Sequence, residues 1–285
     1  MNAHNDIQIM IDRLESLPPI PKIAQKILSL KINTDEGERS LFGLIQKDPT
    51  LMSKIIGLAN SPIFATGRKI LTLHDAAALL GSKRVKMTAL GFAMMSSVSK
   101  KSKGLLNLEG LWKHSLAIAL AMDTLSKYMP EDRRPQEDEI YLAGLLHDIG
   151  FMVLNYLDVQ QCDQFCIRLA AQPERPVDEL EAEMLEMNHC ELGAELGRHW
   201  GLPENIIAVL RYHHTPNKYP DAAQQPLVSL SYLAAKLLPT FDIDTAASRE
   251  VVAEEWQSLG IDPSLADEIK AKLQMHTGQV DEINI

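Results

Sequence analysis

Five of the nine histidines fall in an ordered set: His114, His147 followed directly by Asp148, His189, and the adjacent pair His213-His214. Imidazole nitrogen and carboxylate oxygen are donors that zinc, iron and manganese accept, and one carboxylate can bridge two ions. His147-Asp148 lies inside the apolar stretch YLAGLLHDIGF. A charged carboxylate in such surroundings is costly unless a partner or a cation compensates it. A divalent metal does so, and it also acidifies bound water toward attack on a phosphoester. Taken singly, a helical histidine is more often a hydrogen-bonded core or surface residue than a ligand. His4, His74, His199 and His276 carry that plainer reading. The ordered set is stronger evidence than any of its members.

The elements that must position these groups are helices. The chain has 285 residues, 46% hydrophobic and 23% charged, with 40 Leu against 10 Val and only 5% aromatics. That mixture favours helix over strand, since strands recruit β-branched and aromatic side chains. No alternating pattern of useful length and no fixed-period repeat appears. The expected fold is all-α. Apolar spacing and punctuation predict a helix through Ile7, Ile11 and Leu14, then a break at Leu17–Pro21. Further helices follow from Ile23 to near Asn33, through Leu41–Ile45, from Asp48-Pro49 toward Asn60, from Thr72, and on to Val98 after Gly81-Ser82. Beyond a boundary at Lys100–Gly104, helices are expected at Leu105–Tyr128, through Tyr141–Leu146, and at Val177–Leu185, Cys190–Trp200 and Glu204–Tyr212. The last three are Leu227–Leu238, Ser248–Leu259 and Leu265–Met275. The tail HTGQVDEINI is open to docking or disorder.

Charge is divided between the two halves. Residues 1–104 carry a net +7 and the remainder a net −17. The basic set Arg68, Lys69, Lys83, Arg84, Lys86, Lys100, Lys101 and Lys103 lacks interleaved aromatics for base stacking, so a solvated or protein-docking face is expected and nucleic acid ranks last. Cys162, Cys166 and Cys190 are read as free thiols in a reducing cytoplasm, and Cys162 and Cys166, which share a helix face, as small core residues rather than a metal site. No apolar run is expected to cross a bilayer, and the polar, acidic start lacks the features of a signal peptide.

The order H…HD…H…HH resembles the HD superfamily of metal-dependent phosphohydrolases. Three upstream strings sharpen the match: LPPIPKIAQKILSL, LIQKDPTLMSKIIGLANSPIF and LTLHDAAALLGSKRVKMTALGFAM. They closely resemble the HDOD domain, the HD-related output domain of bacterial signalling proteins, over roughly residues 12–237. The resemblance implies one all-α module of two lobes, an N-terminal helical lobe (1–104) packed on an HD-like lobe (105–285). It also implies a divalent metal (iron, manganese or zinc) held by His114, His147, Asp148, His189, His213 and His214. These positions all survive here, which is unusual for HDOD domains.

Departures from the pattern bear on activity. Phe151 stands in HDIGF where HD-GYP phosphodiesterases have a lysine expected to steady substrate phosphate. Tyr232, or a neighbour in LVSLSYLAAKL, stands where HD enzymes place a late aspartate. Losing one positioned charge typically costs ~10²–10³-fold in rate. The expected function is therefore a regulatory signalling module with a retained metal pocket and a protein partner. The alternative is an active phosphohydrolase on a nucleotide or cyclic dinucleotide, with Asp148 as its catalytic carboxylate.

Overall fold

Short polar side chains and prolines set the helix ends. Thr34, Asp48, Thr72, Asn107, Asp158 and Asn188 each accept a backbone N–H at the start of a helix, satisfying donors that have no partner within the helix. Asp48 takes the Leu51 amide at 3.1 Å with Pro49 in the first helical position. Thr72 Oγ1 accepts from the Asp75 amide at 3.1 Å and donates to Asp75 Oδ2 at 2.7 Å. Thr72 and Asp75 thereby tie the first turn of the following helix together.

The computed structural model describes residues 16–64, 67–99, 104–219, 226–238 and 250–280. Among them are fifteen α-helices and no strand. The upstream part holds α1 (Lys22–Ser29), α2 (Asp35–Ile45), α3 (Pro49–Ala59), α4 (Leu73–Leu80) and α5 (Ser82–Ser99). Then come α6 (Leu108–Ser126), α7 (Glu137–Leu146), α8 (Ile149–Leu157), α9 (Val159–Ala171) and α10 (Val177–Met184). The remainder is α11 (His189–His199), α12 (Glu204–Tyr212), α13 (Pro226–Leu237), α14 (Ala253–Ser258) and α15 (Ala266–Val280). The expected helix through Ile7, Ile11 and Leu14 and most of the Lys100–Gly104 boundary lie outside the described residues.

The central element is α5. It buries Val85, Leu90, Phe92, Met94 and Val98 on different sides, as a helix surrounded by protein does. One side packs on α1, α3 and α4, the other on α7 and α8. The buried apolar residues form one continuous cluster from Leu17 to Val280. In the downstream part α6 packs along α7, and α8 lies against α11, which in turn packs on α12.

Several sequence expectations change. The apolar run after Gln136 breaks into α7 and α8 at His147-Asp148, and α9 fills a stretch where no separate helix was expected. The run Glu137–Leu157 has the length and mean hydropathy of a membrane span, which corrects the expectation that no apolar run does, but 89% of its apolar window is buried inside the fold. Its hydropathy serves the core. The C-terminal helix reaches Val280, whose side chain is fully buried. Arg84 is turned inward, 3.1 Å from Asp123 and 3.6 Å from Glu137, and Lys86 donates to the Leu30 carbonyl at 2.8 Å. Those two partly buried cations tie neighbouring segments together.

Candidate metal centre

Four segments deliver the six predicted ligands. His114 projects from the first half of α6, His147 and Asp148 from the break between α7 and α8, His189 from the start of α11, and His213-His214 from the end of α12. At the break His147 keeps helical dihedrals (φ −51°, ψ −39°) while Asp148 moves to φ −100°, ψ 14°. That is the sparsely populated bridge between helix and strand, where site residues often sit. The two side chains can then face inward together.

Two glycines permit the close approach. A Cβ on Gly144 would overlap the backbone of Ala119 in α6, and one on Gly150 would overlap the His189 carbonyl in α11. Both contacts join ligand-bearing helices.

The two oxygens of Asp148 face different halves of the cluster. Oδ2 lies 3.1 Å from His147 Nε2 and 3.4 Å from His114 Nε2. Oδ1 lies 3.2 Å from His213 Nε2 and 3.6 Å from His189 Nε2. His189 Nε2 is also 3.3 Å from His213 Nε2 and 3.2 Å from His214 Nε2. Of the six residues, four imidazoles face the Asp148 carboxylate and His214 joins them through His189. Five of them are at most 2% exposed, and His214 is half-buried.

The outer nitrogens explain why the inner ones converge. His147 Nδ1 lies 2.9 Å from the Gly144 carbonyl, His213 Nδ1 3.0 Å from the Val209 carbonyl, and His189 Nδ1 2.7 Å from Glu181 Oε2. Each acceptor requires a proton on Nδ1, so in the neutral ring the Nε2 lone pair points at Asp148. Lone pairs from three rings facing one carboxylate are satisfied only by protons or a cation. Such carboxylate- and carbonyl-anchored histidines are the usual surroundings of a metal. The residues present therefore fit a divalent ion.

Electrostatics follow the same geometry. Burial acts to raise the Asp148 pKa, but the charges and hydrogen bonds of His147 and His213 outweigh it and hold the carboxyl well below its ordinary range. Burial pushes His114 down to about 4 despite the pull of Asp148. For His189 burial acts downward, and the opposing charges of Cys190 and Glu181 raise it well above the usual value.

Two residues of the site went unread in the sequence. Cys190, expected only as a free thiol, places Sγ 3.4 Å from His189 Nε2. Glu181, 1% exposed, binds both the ring and the backbone N–H of His189, the latter at 2.9 Å. Its signal was available: Val177, Leu180, Glu181 and Met184 share one helix face, so one carboxylate stands in an apolar stripe. Phe151, in place of the expected lysine, stacks on the His189 ring at 4.1 Å between centroids and 13° between planes. Tyr232 bonds to Glu255, away from the cluster, and its neighbour Ser231 is buried with an unpartnered hydroxyl. His74 is exposed and sits edge-on to Phe42 at 4.8 Å, and His199 is exposed. Neither joins the centre, while His4 and the side chain of His276 lie outside what is described.

The fold and the centre together define an all-α domain organised around a histidine–aspartate cluster. The chain belongs to the HDOD family, whose domain matches residues 17–216. An HDOD domain protein of unknown function from Geobacter sulfurreducens superposes with a TM-score of 0.78 at 23% identity, over 98% of this chain and 97% of its own. A protein of Marinobacter aquaeolei VT8, named a candidate signal transduction protein, gives 0.77 at 26% identity over 96% of this chain and 60% of its own. A candidate phosphohydrolase of Shewanella amazonensis SB2B gives 0.69 at 21% identity, over 96% of both chains. An uncharacterized protein of Treponema pallidum is 26% identical over 240 residues, which are 82% of this chain and 44% of that protein. The chain thus spans less than half the length of that relative.

Proposed function

We propose that this protein is a regulatory module of signal transduction whose buried histidine–aspartate centre holds divalent metal as a structural or signalling element. In this reading His114, His147 and one oxygen of Asp148 serve one side, and His189, His213, His214 and the other oxygen serve the other. A cation there would neutralise Asp148 and acidify bound water. One observation carries the preference for regulation over turnover. All six candidate ligands gather in one place, yet five of these side chains are at most 2% exposed and Phe151 covers His189, where a substrate phosphate would need a cation and an opening. The likeness to the Marinobacter signalling candidate supports the same reading. It further takes residues 1–104 and 105–285 as two lobes of one module, acting in a reducing cytoplasm on a protein partner, with its three cysteines free.

The division of Asp148 between two donor groups favours a second reading, a phosphohydrolase on a nucleotide or other phosphoester with Asp148 at the reacting centre. One experiment separates the two. Purified protein is analysed for bound metal and assayed on a panel of phosphoesters with Mn²⁺ or Fe²⁺. Regulation predicts bound metal that Asp148→Ala loses, and no turnover in either form. Turnover in the wild type that Asp148→Ala abolishes would establish the hydrolase.

A further inference from the structure

Cys190 follows His189 at the second position of α11. Its Sγ is buried and lies 3.4 Å from His189 Nε2 and 3.9 Å from each ring nitrogen of His213. A cysteine that merely fills the core is surrounded by carbon. The sulfur here faces the nitrogens of two rings, and a third ring, His214, reaches His189 at 3.2 Å. One donor atom from each of His189, Cys190, His213 and His214 falls within 4.8 Å of the others.

These spacings can be compared with what a small ion demands. A tetrahedral zinc with Zn–N of about 2.0–2.1 Å and Zn–S of about 2.3 Å separates its donors by about 3.3 Å (N to N) and about 3.6 Å (N to S). The His189–His213 and His189–His214 nitrogen pairs stand at 3.3 and 3.2 Å, and Cys190 Sγ stands 3.4 Å from His189 Nε2. Three of the six edges of such a tetrahedron are already set.

We infer that Cys190 is a thiolate ligand, completing a His₃Cys centre with His189, His213 and His214. The inference rests on the metal-centre reading above and goes beyond it in naming a donor of a different chemical class. Binding releases the thiol proton to solvent as the sulfur–metal bond forms. A thiolate selects zinc or another borderline-soft ion over magnesium or manganese. With the Asp148 oxygen that faces the same side, the protein's own donors leave no open position there, which is the mark of a structural site.

Cobalt substitution tests this without reference to activity. Metal-free full-length protein is titrated with Co²⁺, and bound metal and absorption are recorded together. Stoichiometric cobalt is expected with a near-ultraviolet thiolate-to-cobalt charge-transfer band. Cys190→Ser loses the band while still binding cobalt, and the double variant Cys162→Ser/Cys166→Ser keeps it. X-ray absorption of the zinc-loaded wild type, which needs no variant, is expected to show one sulfur scatterer at about 2.3 Å. Bound metal with neither a band nor a sulfur shell overturns the inference and leaves the metal centre standing. A band that survives Cys190→Ser overturns it equally, and no bound metal at all overturns both readings.

Discussion

Glu181 controls the centre without joining it. Its Oε1 accepts from the His189 backbone and its Oε2 from Nδ1 of the same residue, so one carboxylate fixes the position and the tautomer of the ring. Glu181→Gln preserves the shape but places an amide NH₂ opposite either Nδ1 or the backbone N–H. If it faces the ring, the proton moves to Nε2 and the lone pair leaves the metal side; if it faces the backbone, a buried donor loses its acceptor. Second-sphere losses of this kind cost about 10–100-fold in metal affinity. Competition against a chromogenic chelator is expected to show a drop of that size, with the helical circular dichroism of the wild type retained. Unchanged affinity would remove His189 from the ligand set.

Helix packing determines whether the donors can meet at all. Glycine at 150 lets α8 lie directly on the first turn of α11, because a methyl group there would overlap the His189 carbonyl. Gly150→Ala is expected to force the two helices apart, lose metal, and destabilise the protein by about 1–3 kcal/mol, the usual cost of overpacking. Gly43→Ala is the control, since Gly43 lies in α2 with nothing within 4 Å of a new Cβ. There the same change is expected to stabilise by up to about 1 kcal/mol through helix propensity. Urea unfolding of the two variants, with metal content measured in parallel, reads both effects. At this scale the sequence was legible where the signal is local. Asp48-Pro49 and Glu204–Tyr212 gave their helix limits directly, and an HD pair in apolar surroundings announced a compensated charge. Signals that depend on a neighbour were not legible. The break at His147-Asp148 exists because both side chains must turn inward, and its flanks read as one apolar run. Glu181 was hidden in an acidic helix of which only one face is buried, and Cys190 among thiols judged by whether they could pair.

Cooperativity across the whole chain follows from how the upstream helices are joined to the metal-bearing ones. The two sides of α5 serve both regions, and Arg84 on it reaches Asp123 in α6 at 3.1 Å. Trp200, just past α11, donates its indole N–H to the Pro18 carbonyl at 2.8 Å. The C-terminal helix α15 packs both on α6 and on the turn at Pro62–Phe64. These contacts and the continuous buried cluster tie the described residues of 16–99 to the rest, so unfolding of one region exposes the apolar face of the other. Thermal unfolding followed by far-ultraviolet circular dichroism and by tryptophan fluorescence is therefore expected to give one coincident transition. A cation bound by α6, α8, α11 and α12 together must stabilise that single unit. At a free concentration one hundred times its Kd the gain is about 2.7 kcal/mol, or roughly 5–10 °C in Tm for a chain of this size. Chelation is expected to reverse the shift, and Asp148→Ala to show none. Two separate transitions, only one of them responding to metal, would mean that the regions fold independently and that α5 belongs to just one of them.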